Sequence, residues 1–355
     1  MKRNYLFSTT RQWNPGDEFI LFGLMNLLRD AGHNFNPIIY NRNPDIRENY
    51  TALNFLKKIE LDFKGKGILN SFLKMGFKDN SFKNYTSSKI IDKVYFAGSP
   101  EWQTYRLQEL YKLVEKEDLP VEFHGIGAWA NFSYKDMRPI VDRVLKKAQK
   151  ITVRDEYTFE AMKNYYDVEY LSCPALFSSR LKREVSKIEN VALIFSTYKT
   201  VHGNRVLKST YDKMIAFYKN FIKDNSDKKI KFVCHYIDEI EDCLSAFPDI
   251  EVEYSYDSRD YELIYNQFDF VIGARVHGLG MSASQHIPGI LISHDARGGT
   301  GKGFGLEVTD INVIDVKDIV RKFGNLNYVN SSVENITVTK LSSYERYMVL
   351  LRQKD

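Results

Sequence analysis

Short apolar runs alternate with helical patterns along nearly the whole chain, and that alternation leaves few folds open. Runs rich in β-branched and aromatic residues, bounded by Gly, Pro or polar clusters, read as strands. When helical patterns separate them, they read as βαβ units around parallel sheets. Tyr5–Thr9 is the first such run. Asn14-Pro-Gly-Asp-Glu follows as a turn and cap. The spacing of Phe19, Leu21, Phe22, Leu24, Met25, Leu27 and Leu28 then predicts a helix from Phe19 to Ala31. Pro37–Tyr40, Val94–Ala97, Val121–His124 and Ile151–Val153 are further strands, and Tyr157–Tyr166 is a helix. Residues 45–90 carry Lys-rich helical patterns broken by Gly65, Gly67 and Gly76, and Tyr170–Cys173 closes this half at Pro174.

The pattern restarts after the charged stretch Arg180–Asn190. Strands are expected at Val191–Ser196, Lys229–His235, Ile250–Tyr254, Phe268–Ile272, Ile290–Ser293 and Ile311–Ile314. Helices are expected at Tyr211–Asp224, Asp238–Ala246, Arg259–Gln267 and Val316–Phe323, with a terminal helix from Ser342 to Gln353. A chain of 355 residues exceeds one ordinary core. The reading is therefore two α/β domains, residues 1–178 and 179–341, and a C-terminal helix, 342–355. Two such halves imply a cleft between them, where α/β proteins bind ligands.

Composition narrows the function classes. A hydrophobic fraction of 43% with 14% aromatics supports a folded chain rather than a disordered one. The net charge of +4 suits small anions, or at most a peripheral contact with an acidic membrane. With lysines scattered and no basic stripe, nucleic acid is not expected. Cys173, Cys234 and Cys243 form no C-x-x-C pair and are odd in number. A disulfide framework is not expected, and a reducing cytoplasm fits. No window approaches the apolar length of a spanning helix. The localisation expected is cytoplasmic, or peripheral at the inner face of the membrane.

Chemistry concentrates in residues 267–278. The apolar run Phe268–Ile272 ends at Gly273; Arg275 and His277 follow, then the small-residue segment Gly278–Ser284. This reads as strand, turn and helix start. It sets a guanidinium fork and an imidazole where open α/β sheets bind anions. A salt-bridging Arg and a structural His are the plain alternatives. Other strand ends carry weaker signals. Asn14-Pro-Gly16-Asp17 reads equally as a simple N-cap. Gly98-Ser-Pro-Glu101 and Gly125-Ile-Gly127 are turns that let a backbone approach a ligand. Arg154-Asp155 is either a site or a salt bridge with a cap. Ser293-His294-Asp-Ala-Arg297 precedes Gly298-Gly-Thr-Gly-Lys302-Gly-Phe-Gly305, which is not a P-loop because Gly303 follows Lys302. A flexible loop and a phosphate cradle are even readings of it. No His, Asp and Glu cluster has metal-ligand spacing.

Several of these segments, in their order, resemble the polysaccharide pyruvyl transferase family. They are Asn14-x-Gly16-Asp17, Gly125-x-Gly127, Thr152-Val-Arg154-Asp155, Ser172-Cys-Pro-Ala175, Val271-Ile-Gly-x-Arg275-x-His277 and His286-Ile-Pro-Gly289. Cys173 stands where an Asp is typical, and Gly98-Ser-Pro replaces a glycine-rich turn. The resemblance implies two Rossmann-like domains facing a central cleft, as in GT-B glycosyltransferases. It implies transfer of the enolpyruvyl unit of phosphoenolpyruvate to a sugar diol of a cell-surface polysaccharide precursor. A cyclic pyruvate ketal forms and phosphate leaves. On that basis Arg275 forks onto one anionic group of phosphoenolpyruvate, and Lys302 or Arg154 holds the other. His277 is the candidate general acid, and Asp17 or His294 the candidate base. Gly16, Gly98, Gly125 and Gly127 would line the acceptor side. No cofactor is expected beyond phosphoenolpyruvate as donor substrate. The partners expected are that donor and a saccharide acceptor, free or lipid-linked, and a homo-oligomer is left open. The competing reading is a nucleotide-sugar glycosyltransferase of the same architecture for exopolysaccharide synthesis, with Glu307 on a ribose. A non-catalytic sugar-binding protein is the third.

Overall fold

A computed structural model of the chain describes residues 2–10, 14–42, 90–98, 107–128, 132–199, 206–293 and 298–352. The helical patterns expected at 45–90 lie almost wholly outside the described residues, as do Ser99–Glu101 and His294–Arg297. The described strands form two six-stranded sheets. The first contains β1 (Arg3–Thr9), β2 (Phe35–Asn41), β3 (Lys93–Ala97), β4 (Val121–Ile126), β5 (Lys150–Val153) and β6 (Glu169–Tyr170), in the order β2-β1-β3-β4-β5-β6. The second contains β7 (Asn190–Ile194), β8 (Lys229–Val233), β9 (Val252–Glu253), β10 (Phe270–Gly273), β11 (Gly289–Ser293) and β12 (Glu307–Asp310), in the order β12-β11-β10-β7-β8-β9. Every neighbouring pair is parallel. Parallel strands are covered on both faces, so central ones read as unbroken apolar runs. Val191, Ala192, Leu193 and Ile194 are all fully buried.

The second sheet has the doubly wound order, with its reversal between β7 and β10, where Gly273 sits beside Ile194. In the first sheet the corresponding reversal lies between β1 and β3. Both reversals open a crevice at the carboxyl ends of their strands.

The helices, in chain order, are α1 (Pro15–Asp30), α2 (Gln108–Lys116), α3 (Pro139–Lys146), α4 (Glu156–Met162), α5 (Lys208–Asp224), α6 (Asp238–Ala246), α7 (Tyr261–Asn266), α8 (Val276–Ser284), α9 (Gly298–Lys302), α10 (Val316–Phe323) and α11 (Leu326–Leu351). Asn14 caps α1, accepting from the N–H of Gly16, and Pro15 supplies the preset φ of the first turn. One apolar cluster runs from Tyr5 and Phe7 through Phe19, Leu24 and Leu27 of α1 to Leu279 of α8 and Ile194 of β7. It welds the inner faces of the two halves. Each buried side chain of this size contributes about 1.5–3 kcal/mol. Separate cores cover the outer faces of the two sheets. Pro174–Phe177 forms a single 3-10 turn between the halves, against α1 and α8.

Three expectations need correction. Ile311–Ile314 is not a strand: β12 lies earlier, pairing Glu307 with Ile290. Asp310 accepts from both nitrogens of Asn312, which turns the chain there, and Ile311 is apolar because it points into the core. The glycine-rich run begins as the short helix α9 rather than as a loop. The terminal helix starts at Leu326, well before Ser342. Its first half is rich in Asn, Ser, Thr and Val, which are poor helix formers. The Asn325 cap and the burial of Val329 and Ile336 override that propensity.

The end of α11 returns to the first half. The Tyr347 hydroxyl donates to the carbonyl of Ser172 at 2.9 Å, and His33 Nε2 donates to the Leu351 carbonyl at 2.7 Å. Beneath it lies a buried charge network in which Lys93 Nζ meets Glu122 at 2.6 Å and His124 Nε2 meets Glu122 at 2.8 Å. Burial alone would raise the Glu122 carboxyl, but the His124 hydrogen bond and the His124 and Lys93 charges outweigh it and hold the group at about 2. A depressed carboxyl contributes stability above its unfolded value of 4.5 that is lost as pH falls toward 2. The contribution is about 3 kcal/mol. Thermal unfolding followed from pH 5 to pH 2 checks this. The fall in Tm should be distinctly shallower in Glu122→Gln, and equal slopes would exclude the network as its source.

Candidate active site in the cleft between the halves

The local sequence delivers two side chains to the reversal of the second sheet. β10 ends at Gly273, Arg275 takes an extended conformation at the cap position of α8, and His277 falls in the first helical turn. Small residues follow because α8 is pressed between sheet and partner helices, so Gly278 through Ser284 are all buried.

His277 faces the first half. A Cβ at Gly16 would stand 3.0 Å from the His277 Cβ and 3.1 Å from its Nδ1. The first turn of α1 therefore lies directly against the imidazole, and any side chain at position 16 would press on the ring. On the other side, Arg154 Nη1 donates to His277 Nε2 at 3.2 Å. The Arg154 guanidinium lies flat over Gly127, where a Cβ would fall within 2.7 Å of its Nε. Arg154 is 3% exposed, and its Nε is buried with no hydrogen-bond partner. Asp155 Oδ2 is 3.8 Å away. Asp155 is otherwise occupied as the cap of α4, accepting from the Thr158 N–H at 2.8 Å and its hydroxyl at 2.6 Å. Thr300 of α9 also donates to Asp155, at 3.4 Å, so α9 closes over this corner.

Arg275 is held from its own half. Its Nη2 pairs with Glu239 Oε1, and its guanidinium stacks on the Tyr236 ring at 4.2 Å from the centroid. Glu239 is fully buried. Its second oxygen accepts from the N–H groups of His235 at 2.9 Å and Tyr236 at 3.0 Å. Behind them, His235 Nε2 meets the Tyr265 hydroxyl at 2.8 Å. Burial, followed by the charges of Arg275 and His277, pushes the His235 imidazole well down, so it stays neutral. The α1 side is also tied across the cleft: the Ser258 hydroxyl donates to Glu18 at 2.6 Å.

The structure thus brings together Gly16, Gly127, Arg154, Arg275 and His277. Asp17 lies one residue from Gly16 but is paired with Arg42 at 3.0 Å, with both side chains largely buried. Gly98 and Gly125 have φ of +64 and serve packing. A Cβ on them would strike Ile20 at 2.4 Å and Pro174 at 2.4 Å, respectively. Lys302 is exposed at the end of α9, and Glu307 pairs with Lys322 at 2.7 Å and accepts from the Tyr328 hydroxyl at 2.7 Å. His294 lies outside the described residues. Glu239, Tyr236 and Arg42 escaped the sequence reading. One usable signal existed for Glu239: it shares a helix face, four residues apart, with the buried Cys243. Among the described residues, no group of three His, Cys, Asp or Glu side chains is placed to hold a metal ion, and no helix is long and apolar enough to cross a membrane. All three cysteines are buried and unpaired.

Two parallel sheets of this kind, facing one another over helices that begin at a shared cleft, define a GT-B-like protein. Solved structures of similar fold include UDP-GlcNAc 2-epimerase from Neisseria meningitidis bound to UDP-GlcNAc. It has a TM-score of 0.56 and 12% identity over 99% of this chain and 100% of that one. The S. aureus protein MnaA with UDP has a TM-score of 0.56 and 11% identity, over 95% and 91% of the two chains. A further UDP-N-acetylglucosamine 2-epimerase structure has a TM-score of 0.54 and 11% identity, over 98% and 95% of the two chains. The chain belongs to the polysaccharide pyruvyl transferase family, whose model matches residues 14–296, and is an enzyme of that family. No curated protein matches its sequence.

Proposed function

We propose that the protein transfers the enolpyruvyl unit of phosphoenolpyruvate to a sugar diol of a cell-surface polysaccharide precursor, forming a pyruvate ketal and releasing phosphate. The observation that carries this reading is the His277 imidazole held between Gly16 and the Arg154 guanidinium, with Arg275 two residues before it. Two arginines beside one imidazole suit a small ligand with a phosphate and a carboxylate whose carbon must be protonated. Arg275, already fixed by Glu239 and Tyr236, presents a pre-organised fork. His277 gives a proton to the methylene carbon, and the double-bond pair forms the new C–H bond. A sugar hydroxyl adds at the neighbouring carbon and loses its proton to a base, a role for which Asp17, in the first turn of α1, is the candidate. The C–O bond to phosphate then breaks, and a second hydroxyl closes the ketal and gives its proton to the departing phosphate. A positioned acid or base of this kind contributes about 10²–10⁴-fold.

A nucleotide-sugar transferase remains the second reading, favoured by the doubly wound second sheet and by neighbours solved with UDP or UDP-GlcNAc. Calorimetric titration with phosphoenolpyruvate and with UDP-GlcNAc separates them. Saturable binding of phosphoenolpyruvate without UDP-GlcNAc binding is expected, and the reverse pattern would favour the second reading.

Gly127→Ala tests the part played by Arg154. The added methyl meets the far end of that side chain rather than backbone, so folding should be little affected. Displacing the guanidinium by about 1 Å should lower turnover by about 10²-fold. Full activity with an unchanged Tm would mean that the position of Arg154 is irrelevant to the chemistry.

A further inference from the structure

Among the described residues only three aromatic side chains stand exposed: Tyr157, Tyr165 and Tyr256, at 37%, 46% and 41%. The first two share one flank. Tyr157 lies in the first turn of α4. Tyr165 lies on the turn that continues it, where the N–H of Tyr166 donates to the Met162 carbonyl at 3.1 Å. Ala161 stands midway, four residues from each, and residues at that spacing lie one above the other on a helix face. Eight residues of helical rise set the two rings about 12 Å apart along the axis. The alanine leaves a shallow floor between them. Both rings are held in place. The Tyr157 hydroxyl accepts from the Phe132 N–H at 3.0 Å. Tyr165 lies flat on Tyr134, with centroids 3.9 Å apart and planes at 5°, so its exposure belongs to its outer face. Tyr134 is pinned in turn: its hydroxyl donates to Asp142 at 2.9 Å, and the Tyr166 hydroxyl donates to the same carboxylate at 2.8 Å.

The row begins at the candidate active site. Arg154, which donates to His277, ends β5's approach to the cleft, and Asp155 beside it caps α4. From there α4 runs down the outer face of the first sheet, with Met162 and Tyr166 in the core beneath it. Single exposed tyrosines need no explanation. A spaced pair, held rigid and leading out of a cleft, asks for an occupant. Fixed tyrosine rings give a large contact area at little entropic cost. A sugar chain fits them. Pyranose rings present apolar C–H faces to an aromatic face and carry hydroxyls at their rims. The exposed Glu160, Lys163 and Asn164 flank the row with acceptors and donors for those hydroxyls. Glu160 and Lys163 pair with each other, and Glu156 adds a negative charge at the cleft end, so the flank does not attract a polyanion. We propose that the flank Tyr157–Ala161–Tyr165 is a track for the acceptor: the reacting sugar sits in the cleft and the rest of its chain lies along α4, so the protein selects an oligosaccharide over a single sugar. This inference rests on the acceptor of the proposed reaction being a saccharide.

The test compares single sugars with oligosaccharides of increasing length cut from a galactan, a glucan and a mannan. Calorimetry on the full chain gives their affinities, and phosphate release from phosphoenolpyruvate gives kcat/KM for each. Both should rise with chain length and then level off once the track is filled. In Tyr165→Ala the long fragments should bind about three- to tenfold more weakly. That side chain is at the surface and outside the catalytic machinery, so Tm, phosphoenolpyruvate affinity and turnover of single sugars should be nearly unchanged. Tyr165→Phe should bind the long fragments as wild type does, because stacking needs the ring and not the hydroxyl. Affinities that do not vary with length, a length dependence that survives in Tyr165→Ala, or a panel in which no fragment binds would each overturn the track, and phosphate release with single sugars would still support the proposed donor. Length-dependent binding that Tyr165→Ala weakens, with no phosphate release from any fragment, would leave the track standing and remove pyruvyl transfer.

Discussion

His277→Ala should lower turnover with phosphoenolpyruvate by about 10²–10⁴-fold while the protein still folds and binds the donor. The ring is only part-buried, so truncating it exposes no core. α8 keeps its packing through Leu279, Met281 and Ala283, none of which touches solvent appreciably. The hydrogen bond from Arg154 is among the interactions lost, and that guanidinium can turn to the incoming anion instead. Donor affinity should therefore change by a few-fold at most, and the loss should fall on the chemical step. Phosphate release gives the turnover, calorimetry the affinity and thermal unfolding the stability. Undiminished turnover would remove His277 from the mechanism. Unfolding of the variant would mean that the imidazole is a structural group.

Glu239→Ala should produce the largest loss of stability among single changes at the site, about 3–5 kcal/mol. The carboxylate is fully buried and does three things: one oxygen pairs with Arg275, and the other accepts from two backbone N–H groups. Its removal leaves a cation that is only 15% exposed without its counter-charge, and two buried donors without an acceptor. Glu239→Gln is the informative companion. The amide oxygen can still accept from the backbone, but its NH₂ group then faces the Arg275 donors. Gln should fold more stably than Ala yet bind phosphoenolpyruvate more weakly than wild type, because Arg275 no longer keeps its place. Thermal unfolding and donor titration check both variants. A Gln variant with wild-type affinity would separate Arg275 from donor binding.

The fold was legible wherever apolar runs met glycine or polar punctuation. α6 and α10 match their expected bounds, and most strands lie within a residue or two of expectation. The failures have physical causes. Ile311 is apolar for burial in a turn, not for strand pairing, and α11 begins in residues whose propensity opposes it. The Arg275–His277 pair was legible because both residues follow one strand end. Its partners were not, since Arg154 is 123 residues away and Gly16 belongs to the other half. No spacing rule links such positions. The Ser172-Cys-Pro-Ala175 segment shows the opposite case: it reads as a motif but works as a wedge. Its Pro174 carbonyl would lie 1.7 Å from a Cβ on Gly23 of α1, and its Ala175 packs on Gly280 of α8. A motif can therefore mark the joint between halves as readily as the chemistry.

The most direct measurement is phosphate release from phosphoenolpyruvate in the presence of a panel of diol-bearing glycans, with the glycan products analysed by mass spectrometry. Phosphate released in step with a pyruvate ketal on one glycan, and lost in His277→Ala, is the expected result. No phosphate release with any acceptor, combined with tight binding of a nucleotide sugar, would contradict it.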